Sequence, residues 1–178
     1  MYKVSVPFLF FRRKILKKIG IVMGSDSDLP VIEKATDTLD KLGIPYEVHV
    51  YSAHRTPDRA VRFANNAREE GFGAIIAAAG MAAHLAGVIA ANTTLPVIGI
   101  PCKSKALEGM DALLATVMMP PGVPVATVGI DGGANAALLA AQILGVSDDE
   151  IAEKLAEKKA NDAEKVLEKD ERINQQYR

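Results

Sequence analysis

About five times along the chain, a short apolar run gives way within a few residues to a helical pattern. The runs at residues 19–23, 46–51, 74–79, 95–100 and 123–130 read as strands by length, branching or alternation. The segments between them carry helical spacing: Ile32, Ala35, Leu39 and Leu42 mark one face, and residues 58–70 another amphipathic run. Strand, short loop and helix in repeating order form a parallel sheet, and a parallel sheet needs helices on both faces. The expected fold is therefore α/β, with three layers around a central parallel sheet of about five strands.

Composition agrees with that packing. The 178 residues suit one domain, and with no Trp and only 5% aromatic residues the core must be built from Ala, Val, Ile and Leu. The expected type is flavodoxin-like, with a single domain over residues 18–178 and a long charged C-terminal helix from about 148 to 173. A capping box, Ser147-Asp148-Asp149-Glu150, opens that helix. Residues 105–119 read as a helix interrupted at Gly109, and the Ala-rich helix at 134–144 is apolar on nearly all sides. Such a helix is expected to be buried, partly by another subunit.

Several classes are disfavoured. A net charge of −1 offers no basic field for nucleic acid. No apolar stretch is long and uninterrupted enough to span a bilayer. The single cysteine, Cys102, allows no internal disulfide and fits a reducing, cytoplasmic setting; it reads as a small buried residue. The three His are dispersed and no Cys pair exists, so no metal constellation is expected. Residues 1–17 read as an N-terminal extension outside the core. Val4–Phe11 is apolar and Arg12-Arg13-Lys14 follows it, the reverse of a signal peptide's order.

Three loops at the carboxyl ends of strands carry the chemistry. Ser52-Ala53-His54-Arg55-Thr56-Pro57 joins a strand to a helix, with Thr56 fitting the N-cap and Pro57 the first helical turn. It brings an imidazole, a fixed cation and a hydroxyl to a helix N-terminus, a set that can hold a phosphate and move a proton. Taken singly, Arg55 also fits a solvated charge and His54 a satisfied polar residue. Gly24-Ser25-Asp26-Ser27-Asp28 fits either ordinary capping or a phosphate cradle, and its carboxylates can accept bonds from sugar hydroxyls. It matches neither a Walker loop nor Gly-x-Gly-x-x-Gly. Gly80-Met81-Ala82-Ala83-His84-Leu85-Ala86-Gly87 is low in bulk, which fits a backbone wall against a planar ligand or close helix packing. His49 reads as structural or solvent-facing.

In this order and spacing the three loops closely resemble the 5-(carboxyamino)imidazole ribonucleotide mutase family of purine biosynthesis. The likeness runs from about residue 18 to 167. It includes Leu107-Glu108-Gly109-Met110-Asp111, Met119-Pro120-Pro121-Gly122-Val123-Pro124 and Asn135-Ala136-Ala137-Leu138-Leu139-Ala140-Ala141. The resemblance implies a homo-octamer with sites between subunits, a small ribonucleotide substrate, and no metal or organic cofactor. It implies that Ser25 and Arg55, helped by Ser52, bind the phosphate and that Asp28 binds the ribose. His54 would be the general acid/base, and Ala79, Gly80 and Met81 would line the ring and carboxylate pocket.

The reaction so implied moves a carboxylate from an exocyclic nitrogen to a ring carbon. Carbon dioxide must be held in a dry pocket while one imidazole gives and takes a proton. The chain departs from many members, which have Gly where Ala78 and Met81 stand and Pro where Ala86 stands. A second branch of the family carboxylates aminoimidazole ribonucleotide directly and has a more polar third loop. Met81-Ala82-Ala83-His84 resembles the mutase branch. Two rivals remain. A non-catalytic nucleotide-binding module would need Ser25, Asp28 and Arg55 but not His54. A flavodoxin-like electron carrier is the poorer rival, because the phosphate loop lacks Thr-rich spacing and no Trp or Tyr flanks it to stack on a flavin.

Overall fold

A computed structural model describes residues 16–178. The expected extension falls almost wholly outside them. Strands β1 (Lys18–Met23), β2 (Tyr46–Val50), β3 (Phe72–Gly80), β4 (Val97–Cys102) and β5 (Ala126–Thr127) form one sheet, every pair parallel, in the order β2-β1-β3-β4-β5. Helices α1 (Leu29–Leu42), α2 (Pro57–Asn66), α3 (Leu85–Ala91), α4 (Met110–Val117), α5 (Gly133–Gly145) and α6 (Asp149–Gln176) complete the fold. This is the doubly wound arrangement expected from the repeating pattern. Its strand order reverses beside β1, between β1 and β3, so the loops leaving those strands diverge and open a crevice.

Alternation within each strand makes two cores. Ile19, Ile21 and Met23 of β1, with Ile76, Ile98 and Ile100, face α1, α5 and the start of α6. Val22, Ile75, Ala77 and Val97 face α2 and α3. The small residues permit close packing: α5 lies so near α1 that a Cβ on Gly133 would come within 2.1 Å of the Val31 carbonyl oxygen. On the other face, a Cβ on Gly99 of β4 would meet the Thr116 methyl of α4 at 2.3 Å.

Four local expectations are corrected. The fifth strand is two residues long rather than eight: beyond Thr127, Pro101 of β4 has no N–H to offer the edge, and before Ala126, Pro124 has none of its own. Only Val128 N–H to Gly99 and Asp131 N–H to Pro101 continue the pairing. The fourth helix begins at Met110, since Glu108 (φ 55°) and Gly109 (φ 90°) are left-handed and cannot extend it backwards. Asp148, not Ser147, caps α6, accepting the Ile151 N–H. Thr56 occupies the N-cap position of α2 without capping; its hydroxyl instead accepts the Ser52 N–H at 2.9 Å. Beyond its first turns α6 is exposed, including Val166, Leu167 and Ile173.

Candidate active site

The loops after β1, β2, β3 and β4 enclose a pocket of about 640 Å³ at the reversal of strand order. All eight residues implied by the resemblance line it: Ser25, Asp28, Ser52, His54, Arg55, Ala79, Gly80 and Met81. They come from three strand ends far apart in sequence and are brought together by the parallel sheet alone.

The β1 loop is shaped by its own backbone. Ser25 is extended and its Oγ accepts the Ser27 N–H at 3.3 Å, opening a single 3-10 turn over Asp26–Asp28. Asp28 then stands at the N-cap of α1 but makes no side-chain cap bond to that helix. Its carboxylate is half-buried, and burial raises its pKa from the usual carboxylate value. Hydrogen bonds from the Ser25 backbone, Cys102 and Ser27 oppose that rise, while the charge of Asp131 adds to it.

A stability consequence follows from that direction. A carboxylate whose folded pKa is raised favours folding in acid and loses that contribution as the pH rises through its folded pKa. At neutral pH Asp28 therefore opposes folding. The Asp28→Asn variant should melt at a higher temperature than the parent at pH 7, with the gap closing near the ordinary value of 3.8. Thermal melts at two pH values check the expectation.

In the β2 loop, Ser52 Oγ accepts the Arg55 N–H at 3.1 Å and Thr56 N–H reaches the Ser52 carbonyl at 2.9 Å, so the turn is held at both ends. The Arg55 guanidinium reaches across to the Gly24 carbonyl at 3.3 Å, which puts the cation beside the Ser25 cradle. His54 projects the other way, toward β3. Its Nε2 lies 2.9 Å from Nδ1 of His84, one ring donating and the other accepting, with the rings edge to face.

The β3 loop is the least usual backbone. Gly80 pairs with Cys102 in the β3–β4 register, and a Cβ there would lie 3.3 Å from the Cys102 carbonyl oxygen. Met81 follows in the left-handed region at φ 54° with its side chain 65% exposed at the pocket. An unbranched residue held there costs about 1 kcal/mol, and such strain collects at ligand sites. Met81→Gly should change stability by no more than about 0.5 kcal/mol in denaturant titrations, in the stabilising direction, because glycine's extra freedom when unfolded offsets most of the left-handed relief. Cys102, behind this wall, is buried and its thiol is pushed up to about 12, first by burial and then by Asp28 and Asp131. It is an inert packing residue, as its sequence context indicated.

Two groups escaped residue-level assignment from the sequence. His84 stood in a recognised loop without a role, although its place at the N-cap of α3 mirrors that of the β2 loop beside α2. The segment Lys103-Ser104-Lys105 lines the pocket from the β4 end. The rule that ligands gather at the carboxyl ends of parallel strands would have picked it out. His49 is structural: it stacks on Tyr51 at 5.0 Å and meets Phe63 edge-on. Among the described residues no group of three or more His, Cys, Asp or Glu could hold a metal ion, and no helix is long and apolar enough to cross a membrane.

An open pocket at the switch point of a 2-1-3-4-5 parallel sheet, carrying an imidazole, a guanidinium and a half-buried carboxylate, defines an α/β protein built to hold a small polar ligand. Its sequence relatives narrow that class. The profile of the family described as AIR carboxylase matches residues 18–165. The chain is 55% identical over 157 residues to N5-carboxyaminoimidazole ribonucleotide mutase of Pyrococcus horikoshii, covering 88% of this chain and 89% of that one. It is also 55% identical to the mutase of the same name from Bacillus subtilis, covering 87% and 97%. The chloroplastic phosphoribosylaminoimidazole carboxylase of Vigna aconitifolia is 44% identical over 87% of this chain but only 28% of its own length. The crystal structure of Treponema denticola PurE superposes with a TM-score of 0.79 at 31% identity, covering 88% of this chain and 98% of that one. The chain belongs to the AIR carboxylase family.

Proposed function

We infer that the protein is an N5-carboxyaminoimidazole ribonucleotide mutase of de novo purine biosynthesis. It converts 5-(carboxyamino)imidazole ribonucleotide to 4-carboxy-5-aminoimidazole ribonucleotide. The observation that carries this reading is the single pocket in which an imidazole meets a small-residue wall at one side and an Arg–Ser cradle at the other. Relatives of comparable length and more than half identical bear that activity in their names.

Each residue then has a task. Arg55 and Ser25, with Ser52 shaping the turn, take the phosphate, and Asp28 takes the ribose hydroxyls. His54 gives a proton to the exocyclic nitrogen as its bond to the carboxylate carbon breaks, releasing carbon dioxide. The ring carbon attacks that carbon dioxide, forming the new carbon–carbon bond. The ring proton then returns to His54, so the imidazole ends as it began. Ala79, Gly80 and Met81 wall the carbon dioxide from water. His84, 2.9 Å away, fixes the plane of the His54 ring.

The assembly reading is a cytoplasmic homo-octamer. It draws support from an exposed apolar stripe on and beside α4: Leu107, Met110, Leu114, Val117 and Met118 are 45–75% exposed. The test supplies the carboxyamino nucleotide and, separately, aminoimidazole ribonucleotide with modest bicarbonate. Conversion of the first alone, by a species of eight-chain mass in light scattering, is expected. Efficient use of the second would move the protein to direct carboxylation; binding without turnover would leave a non-catalytic nucleotide module.

A further inference from the structure

The β4 end of the pocket has polar groups that the assignment above leaves unused. Lys103, Ser104 and Lys105 all line it. Lys103 is already engaged: its ammonium pairs with the Glu108 carboxylate and its N–H donates to Asp131 Oδ1 at 2.9 Å. Lys105 has no hydrogen bond or ion pair among the described residues. The Ser104 hydroxyl is buried with no hydrogen-bond partner. A buried hydroxyl without a partner and, on the following residue, an unpaired ammonium together offer donors to an anionic acceptor.

Strand order decides which end of the ligand that acceptor belongs to. Arg55 follows β2 and leans on the β1 loop. Lys105 follows β4, three strand positions from β2 in the order β2-β1-β3-β4, a separation of about 14 Å at the usual strand spacing. Lys105 thus enters the pocket from the end away from the Arg55–Gly24 contact. A nucleotide with its phosphate at the β1–β2 end presents its base toward β3 and β4.

We infer that Lys105, with the Ser104 hydroxyl beside it, binds the carboxylate that the reaction moves. This rests on the mutase reading, because only a nucleotide with a carboxylate on its base brings a second anion to that end. The Lys105 ammonium holds the carboxylate while it is charged and loses its hold when carbon dioxide forms. The Ser104 hydroxyl donates to the same group. Lys105 is thus a specificity residue that separates carboxylated from uncarboxylated nucleotides.

The experiment compares the parent with Lys105→Met, Lys105→Arg and Ser104→Ala. It measures KM and kcat for the carboxyamino nucleotide, the dissociation constant of aminoimidazole ribonucleotide, and inhibition by inorganic phosphate. Lys105→Met should raise KM about tenfold while affinity for aminoimidazole ribonucleotide and phosphate stays within twofold. Lys105→Arg should recover most of the loss, and Ser104→Ala should show a smaller change in the same direction. Equal weakening toward both nucleotides would assign Lys105 to the phosphate and overturn the inference. An unchanged KM in Lys105→Met would overturn it too. An inactive parent would instead count against the mutase reading, so the two failures are distinguishable. Lys105 is exposed, and its replacement leaves no cavity to unfold the chain.

Discussion

Replacing His54 with Asn is expected to lower kcat by about 10²- to 10⁴-fold, the usual contribution of a positioned proton-transfer group. KM should change by no more than a few-fold. The expected phosphate and ribose contacts come from Ser25, Asp28 and Arg55, and none of them hydrogen-bonds the imidazole. Asn is polar but ends short of the Nε2 position that meets His84, and it cannot carry a proton between nitrogen and carbon. The melting temperature should stay near the parent's, because His54 is exposed. Steady-state rates beside a thermal melt check the pair of expectations. A variant that kept a tenth or more of parental kcat would remove His54 from the chemistry and return the site to a binding role.

The largest expected effect on stability comes from one methyl group. Gly133→Ala would put a Cβ 2.1 Å from the Val31 carbonyl oxygen and 3.3 Å from the Lys34 Cβ. The obstacle is backbone in the next helix rather than the end of a flexible side chain, so relief requires α5 to move off α1. That would loosen the face where Ala136, Ala137 and Ala140 pack against Ile32, Ala35 and Leu39. Overpacking of this kind costs about 3 kcal/mol. Urea titration should show the midpoint falling while the slope is unchanged. Gly122→Ala makes a contrast: nothing lies within 4 Å of its Cβ, and only the left-handed φ of 95° opposes it, so its cost should be about 1–2 kcal/mol.

The two glycines also mark where the sequence was legible. Gly132-Gly133 reads correctly as the turn into a helix, yet nothing local says that Gly133 is needed because α1 lies against it. Close approach between elements distant in sequence is a tertiary fact. The strands β1, β3 and β4 are legible because burial on both faces makes them continuous apolar runs. The fifth strand is overread for the opposite reason: most of its own residues suit a strand, but Pro124 and the partner strand's Pro101 limit the ladder. The start of α4 is misjudged because Lys105 to Glu108 suit a helix, whereas Glu108 and Gly109 are left-handed.

The site follows the same division. Ser25, Asp28, Ser52, His54 and Arg55 are visible as chemistry-bearing residues at strand ends, and the order of their loops is enough to suggest a family. The wall around Met81 is visible only through the small residues that flank it, Ala79, Gly80, Ala82 and Ala83. The His54–His84 contact and the Lys103–Ser104–Lys105 edge depend on which strands are neighbours in the sheet. Strand order 2-1-3-4-5 brings the β4 loop into the same pocket, and no local spacing encodes that order.

The central claim is that one carboxylate is moved within a dry pocket rather than drawn from solution. The most direct test feeds the enzyme carboxyamino nucleotide labelled with carbon-13 at the carboxylate, in an excess of unlabelled bicarbonate, and reads the label in the 4-carboxy product by NMR. Retention of the label in most of the product formed during early turnover is the expected result. Product carrying the unlabelled carbon of the bicarbonate pool from the first turnovers would contradict the account and make the protein a carboxylase that uses free carbon dioxide.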